Sequence, residues 1–458
     1  MKNLKYIVVT LLLGSLTNTS CTDYLTVNPK TEMRQDKLFS TEKGFKDALN
    51  GIYIQMKGTE AYGGAMTMTT IEHAVSNWDV APGSAEEQLN LFNYTDTKVE
   101  NSWSSIYGTE YTIIAGINVI LSHIDEKREV FTSPGTYETI KAECLALRAY
   151  CHLDILRLYG PVASDVSAGN KLAYVIDLSG TRASFFQEAL LKDLVEAEGL
   201  VKAIDPIVTN VTTKDTYFDS RNLKMNYYAI KALQARAYLW FNNKEKAYEC
   251  AKIVIDAKNS NGTPKFRLGV SADMSTNKDY TLTSEHIFAL YDFNLASKYT
   301  SLFQNGTLKK GGNNNAVINL QLYGNTGTDM RELNLWQLIK ENYVLRKYEG
   351  GKQIPLLRLS EMYMIAIETA PPADAQALWT AFRSARGIGN RAPITLPVDP
   401  ALLQTELIKE YRKEFYAEGQ SFFACKRLNL KTNVLFVPTE AKINYLIPLP
   451  KTETINLN

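Results

Sequence analysis

Histidine is scarce. The chain has 458 residues and four histidines, and His73, His123, His152 and His286 lie far apart with no H-E-x-x-H or related spacing, so no zinc site is written along it. His152 falls on an apolar helix pattern and reads as a satisfied core residue. Cysteine is nearly as sparse, with five thiols that form neither a C-x-x-C nor a Cys/His cluster. Cys144 and Cys151 share one predicted helix and stand about 10 Å apart along its axis, beyond the reach of a disulfide. With Cys250 and Cys425 they are expected as buried thiols. Charge of one sign is missing too: 50 basic residues face 49 acidic ones, for a net charge of +1. That balance gives no field to collect a phosphate backbone, and no nucleic-acid partner is expected. There is no G-x-S-x-G elbow, and Gly311-Gly312 after Lys309-Lys310 lacks the frame of a phosphate-binding loop. No cofactor is expected.

The residues that are present describe a folded, exported chain. A hydrophobic share of 45% beside 22% charged residues supplies a sizeable core. Tyrosine is abundant, 26 residues beside 17 Phe and 5 Trp, and its apolar face and polar tip suit binding surfaces as well as cores. Lys2 and Lys5 precede an apolar run at 6–13, and small or polar residues at 14–20 lead to Cys21. This is the pattern of a secretory leader. It is too short for the roughly twenty residues of a spanning helix, and no other apolar run approaches that length. Two readings of Cys21 stay open: an acylated lipoprotein N-terminus, or a plain thiol behind ordinary leader cleavage. Acylation would anchor the chain durably, each buried methylene contributing about 0.8 kcal/mol.

Apolar residues recur at helical spacing in several segments. Over 136–159, Ile140, Cys144, Leu147, Cys151, Ile155 and Leu158 form one stripe, stopped by Gly160-Pro161. Two helical stretches within 225–257 flank Asn242-Asn243, with Ala235, Tyr238, Ala247 and Ala251 at the small and aromatic spacings of a tetratricopeptide hairpin. A further hairpin is predicted at 359–370 and 373–386 around Pro371-Pro372, and a helix at 402–417. The fold class expected is all-α: tetratricopeptide-like hairpins with long irregular insertions and minor strands at 287–293 and 316–322. The insertions span 58–101, 164–181, 209–222 and 262–346, and loops this long in a compact protein are usually functional. Arg148, Arg157, Arg236, Arg358, Glu361, Glu418 and Arg427 lie on or at the ends of predicted helices, where ion pairing between hairpins is expected.

Five pieces of sequence together resemble one family: Cys21-Thr22-Asp23-Tyr24 through Asn28-Pro29; Leu147-Arg148-Ala149-Tyr150 through Leu158-Tyr159-Gly160-Pro161; Ala232-Leu233 with Arg236-Ala237-Tyr238-Leu239; Leu357-Arg358-Leu359-Ser360-Glu361; and Arg412-Lys413-Glu414-Phe415-Tyr416 through Gly419, Phe422-Phe423, Lys426-Arg427 and Ile447-Pro448-Leu449-Pro450. In this order the chain resembles the SusD/RagB family of outer-membrane lipoproteins. The resemblance implies a leader at 1–20 and lipidation at Cys21. Two regions, 21–260 and 261–458, would pack as one unit. It also implies a non-enzymatic role: capture of glycan, or in some branches peptide, at the cell surface and its delivery to a TonB-dependent outer-membrane transporter. A surface-anchored glycan-degrading enzyme and a scaffold that binds only the transporter are the alternatives.

A sugar presents C–H faces and hydroxyl edges, so its site calls for flat aromatics with amides or carboxylates beside them, carried on loops. Asn77-Trp78-Asp79 near Tyr94 is the best local constellation. A second contribution is expected from the insertion carrying Tyr299, Phe303, Asn313, Asn314, Tyr323 and Trp336, provided that it folds back onto the first.

Overall fold

Side chains that cap helix starts divide the chain into rods. Asp96 accepts from the amides of Lys98 and Val99, Asn226 from Ala229, Asn243 from Lys246 and Asp399 from Ala401 and Leu402, each satisfying donors that the helix cannot use itself. The computed structural model describes residues 35–162, 172–211 and 215–455. The leader, Cys21, the 21–29 motif and part of the 164–181 and 209–222 insertions lie outside the described residues. The longer helices are α1 (Glu42–Met56), α2 (Thr97–Ile124), α3 (Thr136–Tyr159), α4 (Phe186–Val201), α5 (Tyr227–Trp240), α6 (Lys244–Ile255), α7 (Leu359–Thr369), α8 (Pro372–Ala385), α9 (Pro400–Glu414) and α10 (Gln420–Arg427). None among the described residues is long and apolar enough to cross a membrane.

The expected hairpins are there. Helices α5 and α6 turn at Asn242, which adopts φ 57°, and bury Ala235, Ala247 and Ala251 between them. Helices α7 and α8 turn at Pro371-Pro372, and proline at the start of α8 loses no helical hydrogen bond there. Helix α3 departs from expectation in one respect. Every residue from Glu143 to Tyr159 is buried, so it is surrounded on all sides and its stripe is one face of a central rod. The four described cysteines are free and buried.

Among the described residues, two small antiparallel sheets interrupt the helices. Strand β1 (His286–Tyr291) pairs with β4 (Gln353–Arg358), with Leu290 opposite Ile354 and Tyr291 opposite Gln353. Strands β2 (Trp336–Ile339) and β3 (Asn342–Leu345) form a hairpin whose turn, Lys340-Glu341, has positive φ at both residues, the twist that tight hairpins favour. The strand expected at 316–322 is instead a wide helical turn in which the Tyr323 amide donates to Ile318 O at 3.1 Å. Its buried residues, Ile318 and Leu322, are four apart, and Leu320 between them is exposed, which is helical and not alternating spacing.

The charged helix residues pair inside the scaffold. Arg148 makes a two-pronged contact with Asp193, Arg236 with Glu361 and Arg427 with Glu368. Arg157 meets Asp154. Arg358 bridges Glu285, Glu414 and Glu418, while Arg386 and Arg331 also converge on Glu414. Burial alone would raise the Glu414 carboxyl, but Arg386, Arg358 and Arg331 together hold it well below the usual carboxylate range. His152 is a satisfied core residue: its Nε2 accepts from the Val175 amide and its Nδ1 faces Arg148 O at 2.9 Å. Burial pushes it down to about 3, so the ring is neutral.

Candidate functional site

The loop before α2 and the insertion after β1 do meet. The Asp79 amide donates to Lys309 O at 2.9 Å. The Asp79 carboxylate accepts from the amides of Gly311 at 2.5 Å and Gly312 at 3.3 Å, with the Lys310 ammonium at 3.2 Å. Residues more than two hundred positions apart are thereby joined through one side chain. The same ammonium donates to Ser76 O and lies 4.3 Å from the Phe436 ring centroid, so the C-terminal segment completes the junction. Burial lowers the Lys310 pKa, and the Asp79 carboxylate opposes that.

Beneath this junction the aromatic residues interlock. Trp78 is fully buried, donates its indole N–H to Met68 O at 2.8 Å, and stands edge-on to Phe303 and Tyr416. Tyr416 is edge-on to Trp336 at 5.1 Å, and the Trp336 indole donates to the Tyr323 hydroxyl at 3.3 Å. Phe303 stacks on Tyr299 and tilts against Tyr348. The ring faces of Trp78, Tyr299, Tyr323 and Trp336, read from sequence as sugar platforms, are therefore closed in this structure. The correction has a simple physical cause: loops of this length need a core of their own, and the largest apolar side chains supply it.

Asn77 is buried in the same way. Its amide donates to Glu72 Oε2 at 2.5 Å and its carbonyl accepts from Arg412 at 2.7 Å, leaving it committed to the frame. Burial raises Glu72 to about 7, against the hydrogen bonds from Asn77 and from the backbone of Ala417 and Gly419. Gly419 stands at φ 75°, and a Cβ there would fall 2.3 Å from Met66 O, so only glycine lets α10 begin this close to the loop. Tyr94 is half-buried and its hydroxyl donates to Asn444 O at 2.5 Å, tying the C-terminal segment down.

The groups left facing solvent are different ones. The Asp79 side chain is 48% exposed. Asn313, Asn314 and Asn315 are exposed, and Tyr343 and Phe436 are half-buried. Tyr343 is held to the junction by its amide, which donates to Gly312 O at 2.8 Å. Sequence reasoning passed over Tyr343 and Phe436, because nothing in their local pattern marks them. It is the fold that brings the Tyr343 backbone to Gly312 and the Phe436 ring to the Lys310 ammonium, both neighbours of the Asp79 carboxylate. The rim thus carries a carboxylate, side-chain amides and two aromatic rings, the groups that hydroxyls and C–H faces engage. Among the described residues no group of three or more His, Cys, Asp or Glu is placed to hold a metal ion.

Comparison with known proteins agrees with this architecture. Residues 23–218 match the SusD-like family model described as starch-binding and associating with the outer membrane. No curated protein matches the chain. Among solved structures, a SusD superfamily protein from Bacteroides thetaiotaomicron VPI-5482 is 21% identical and superimposes with a TM-score of 0.66, covering 91% of this chain and 98% of its own. One from Bacteroides vulgatus ATCC 8482 is 19% identical with a TM-score of 0.67, covering 91% and 97%. A laminarin-binding SusD-like protein is 17% identical with a TM-score of 0.62, covering 90% and 97%. The helical hairpins and minor strands are those of the fold these structures share, and residues 23–218 carry the likeness to the SusD-like family model.

Proposed function

We propose that the protein captures oligosaccharide or polysaccharide at the bacterial surface and passes it, without cleaving it, to a TonB-dependent transporter in the outer membrane, to which acylated Cys21 tethers it. The observation that carries this reading is the rim at Asp79, where two polar loops from distant parts of the chain meet with an exposed carboxylate, exposed amides and aromatic rings. The family's description as starch-binding and outer-membrane-associated supports it, as does the fold shared with a laminarin-binding protein. In this reading Asp79, Asn313 and Asn314 engage hydroxyls and the rings of Tyr343 and Phe436 offer faces for stacking. Asn77, Trp78, Tyr299, Tyr323 and Trp336 hold them in place from below, and Tyr94 fixes the C-terminal segment.

Affinity gels cast with laminarin, soluble starch or polygalacturonate test the capture. Wild-type protein is expected to be retarded by at least one glycan, with no new reducing ends after incubation. Retention on a peptide library with no retardation by any glycan would replace the carbohydrate assignment with a peptide one. Mass spectrometry of the membrane-extracted N-terminus tests the tether: an acylated Cys21 is expected, and an unmodified thiol there would remove the anchor from the account.

A further inference from the structure

Tyr291 and Phe293 form a second feature of the surface, apart from the rim at Asp79. Strand β1 ends in Tyr291, 46% exposed, and after one residue the chain presents Phe293, 71% exposed. Between them Asp292 is turned inward, paired with Lys298 at 2.8 Å and accepting from the Asn294 amide at 3.0 Å. The alternation sends both rings outward, and the buried carboxylate fixes the turn that presents them. A phenylalanine left this open forgoes the stabilisation that its burial would contribute.

Next to the strand end that carries these rings, the neighbours Lys352 and Gln353 line a polar cavity of about 560 Å³. Tyr291 is the register partner of Gln353, and the Asp292 amide donates to Lys352 O at 2.8 Å. Gln353 and Lys352 both line the cavity, with Asn277, Asp279, Thr283 and Ser284 around its other sides. The Lys352 ammonium lies 5.9 Å from the Phe293 ring centroid, so a residue lining the cavity reaches toward that ring. The far wall is built rather than loose: Asp279 accepts from the Thr283 amide at 2.8 Å and from its hydroxyl, and Arg267 clasps Asp273 with two hydrogen bonds. Amide, hydroxyl, ammonium and carboxylate groups thus surround a space beside two open aromatic faces.

We infer that this cavity and the Tyr291–Phe293 pair form a second oligosaccharide-binding surface, separate from the rim at Asp79. The inference rests on the reading of the chain as a glycan-capturing protein, and adds where a second stretch of the same polymer is held. The rings stack against C–H faces, and Gln353, Asn277 and Thr283 exchange hydrogen bonds with hydroxyls. Two surfaces on one rigid body raise the apparent affinity for a long glycan above that of either alone, because the second contact forms intramolecularly.

The test uses the full-length protein in gels cast with laminarin, soluble starch or polygalacturonate. It compares wild type, a Tyr291→Ala/Phe293→Ala variant and an Asp79→Ala/Tyr343→Ala variant, with melting temperatures measured alongside. Tyr291 and Phe293 are exposed, so their replacement is expected to leave the melting temperature unchanged while weakening retardation about tenfold. Loss of retardation in both variants supports two surfaces, and loss in the Tyr291/Phe293 variant alone supports this surface while removing the one at Asp79. Full retardation of the Tyr291/Phe293 variant, with the Asp79/Tyr343 variant impaired, overturns the second surface and leaves the capture function standing. Wild type that no glycan retards overturns both.

Discussion

The scaffold around Glu414 and the rim around Asp79 are both built from carboxylates beside cations, and they work in opposite ways. Glu414 is buried among Arg331, Arg358 and Arg386, so its charge is spent on holding helices and strands together. Asp79 meets one lysine and two backbone amides and keeps nearly half its side chain in water. The first can accept no ligand and the second can. A charged residue's environment, not its identity, therefore separates structural from binding roles in this fold.

The largest effect is expected at the buried carboxylate. Glu414→Ala leaves three guanidiniums without their common partner, and we expect a loss of about 3–5 kcal/mol in urea unfolding. A loss under 1 kcal/mol would mean that the cluster contributes little. Trp78→Ala empties a packed site between Phe303 and Tyr416 and should likewise cost about 3–5 kcal/mol. An unchanged melting temperature with weakened glycan retardation would return Trp78 to the role of an accessible platform.

A third test exploits pH. The Glu72 carboxyl, raised from 4.5 to about 7 by burial, holds its proton more tightly in the folded chain than in the unfolded one. Between pH 4.5 and 7 the folded state binds more protons, so this group's contribution to stability falls as pH rises through that window and levels off above it. The change is about 3 kcal/mol. The stability of wild type relative to Glu72→Gln should decline across that range, and a flat difference would show that Glu72 is ionised throughout. Asp79→Ala lies at the small end: its solvent-facing ion pair and loop hydrogen bonds should shift stability by about 1 kcal/mol at most.

The helices were legible in the sequence where periodicity and punctuation agree. Asn242-Asn243 and Pro371-Pro372 mark their hairpins because each residue does at that position what a helix interior resists. The buried role of Arg236 and Arg358 was legible too, since both fall on helical or strand segments facing other elements. The rim was only half legible. Asp79 could be singled out, and so could the need for the insertion to fold back onto it. That Trp78 would be enclosed could not, because an aromatic in a polar loop has the same local pattern whether it caps a core or a ligand. Tyr343 and Phe436 were invisible for the converse reason: contacts with other segments, Gly312 for Tyr343 and Lys310 for Phe436, decide their setting. The wide turn at Val317–Leu322 was misread as a strand because a short apolar run carries both periods at once.

The central claim is that capture belongs to the exposed rim and stability to the aromatic core beneath it. Its most direct test is glycan-gel retardation of Asp79→Ala/Tyr343→Ala measured beside its melting temperature. Weakened retardation is expected with a melting temperature within a few degrees of wild type; full retardation would move capture away from the rim.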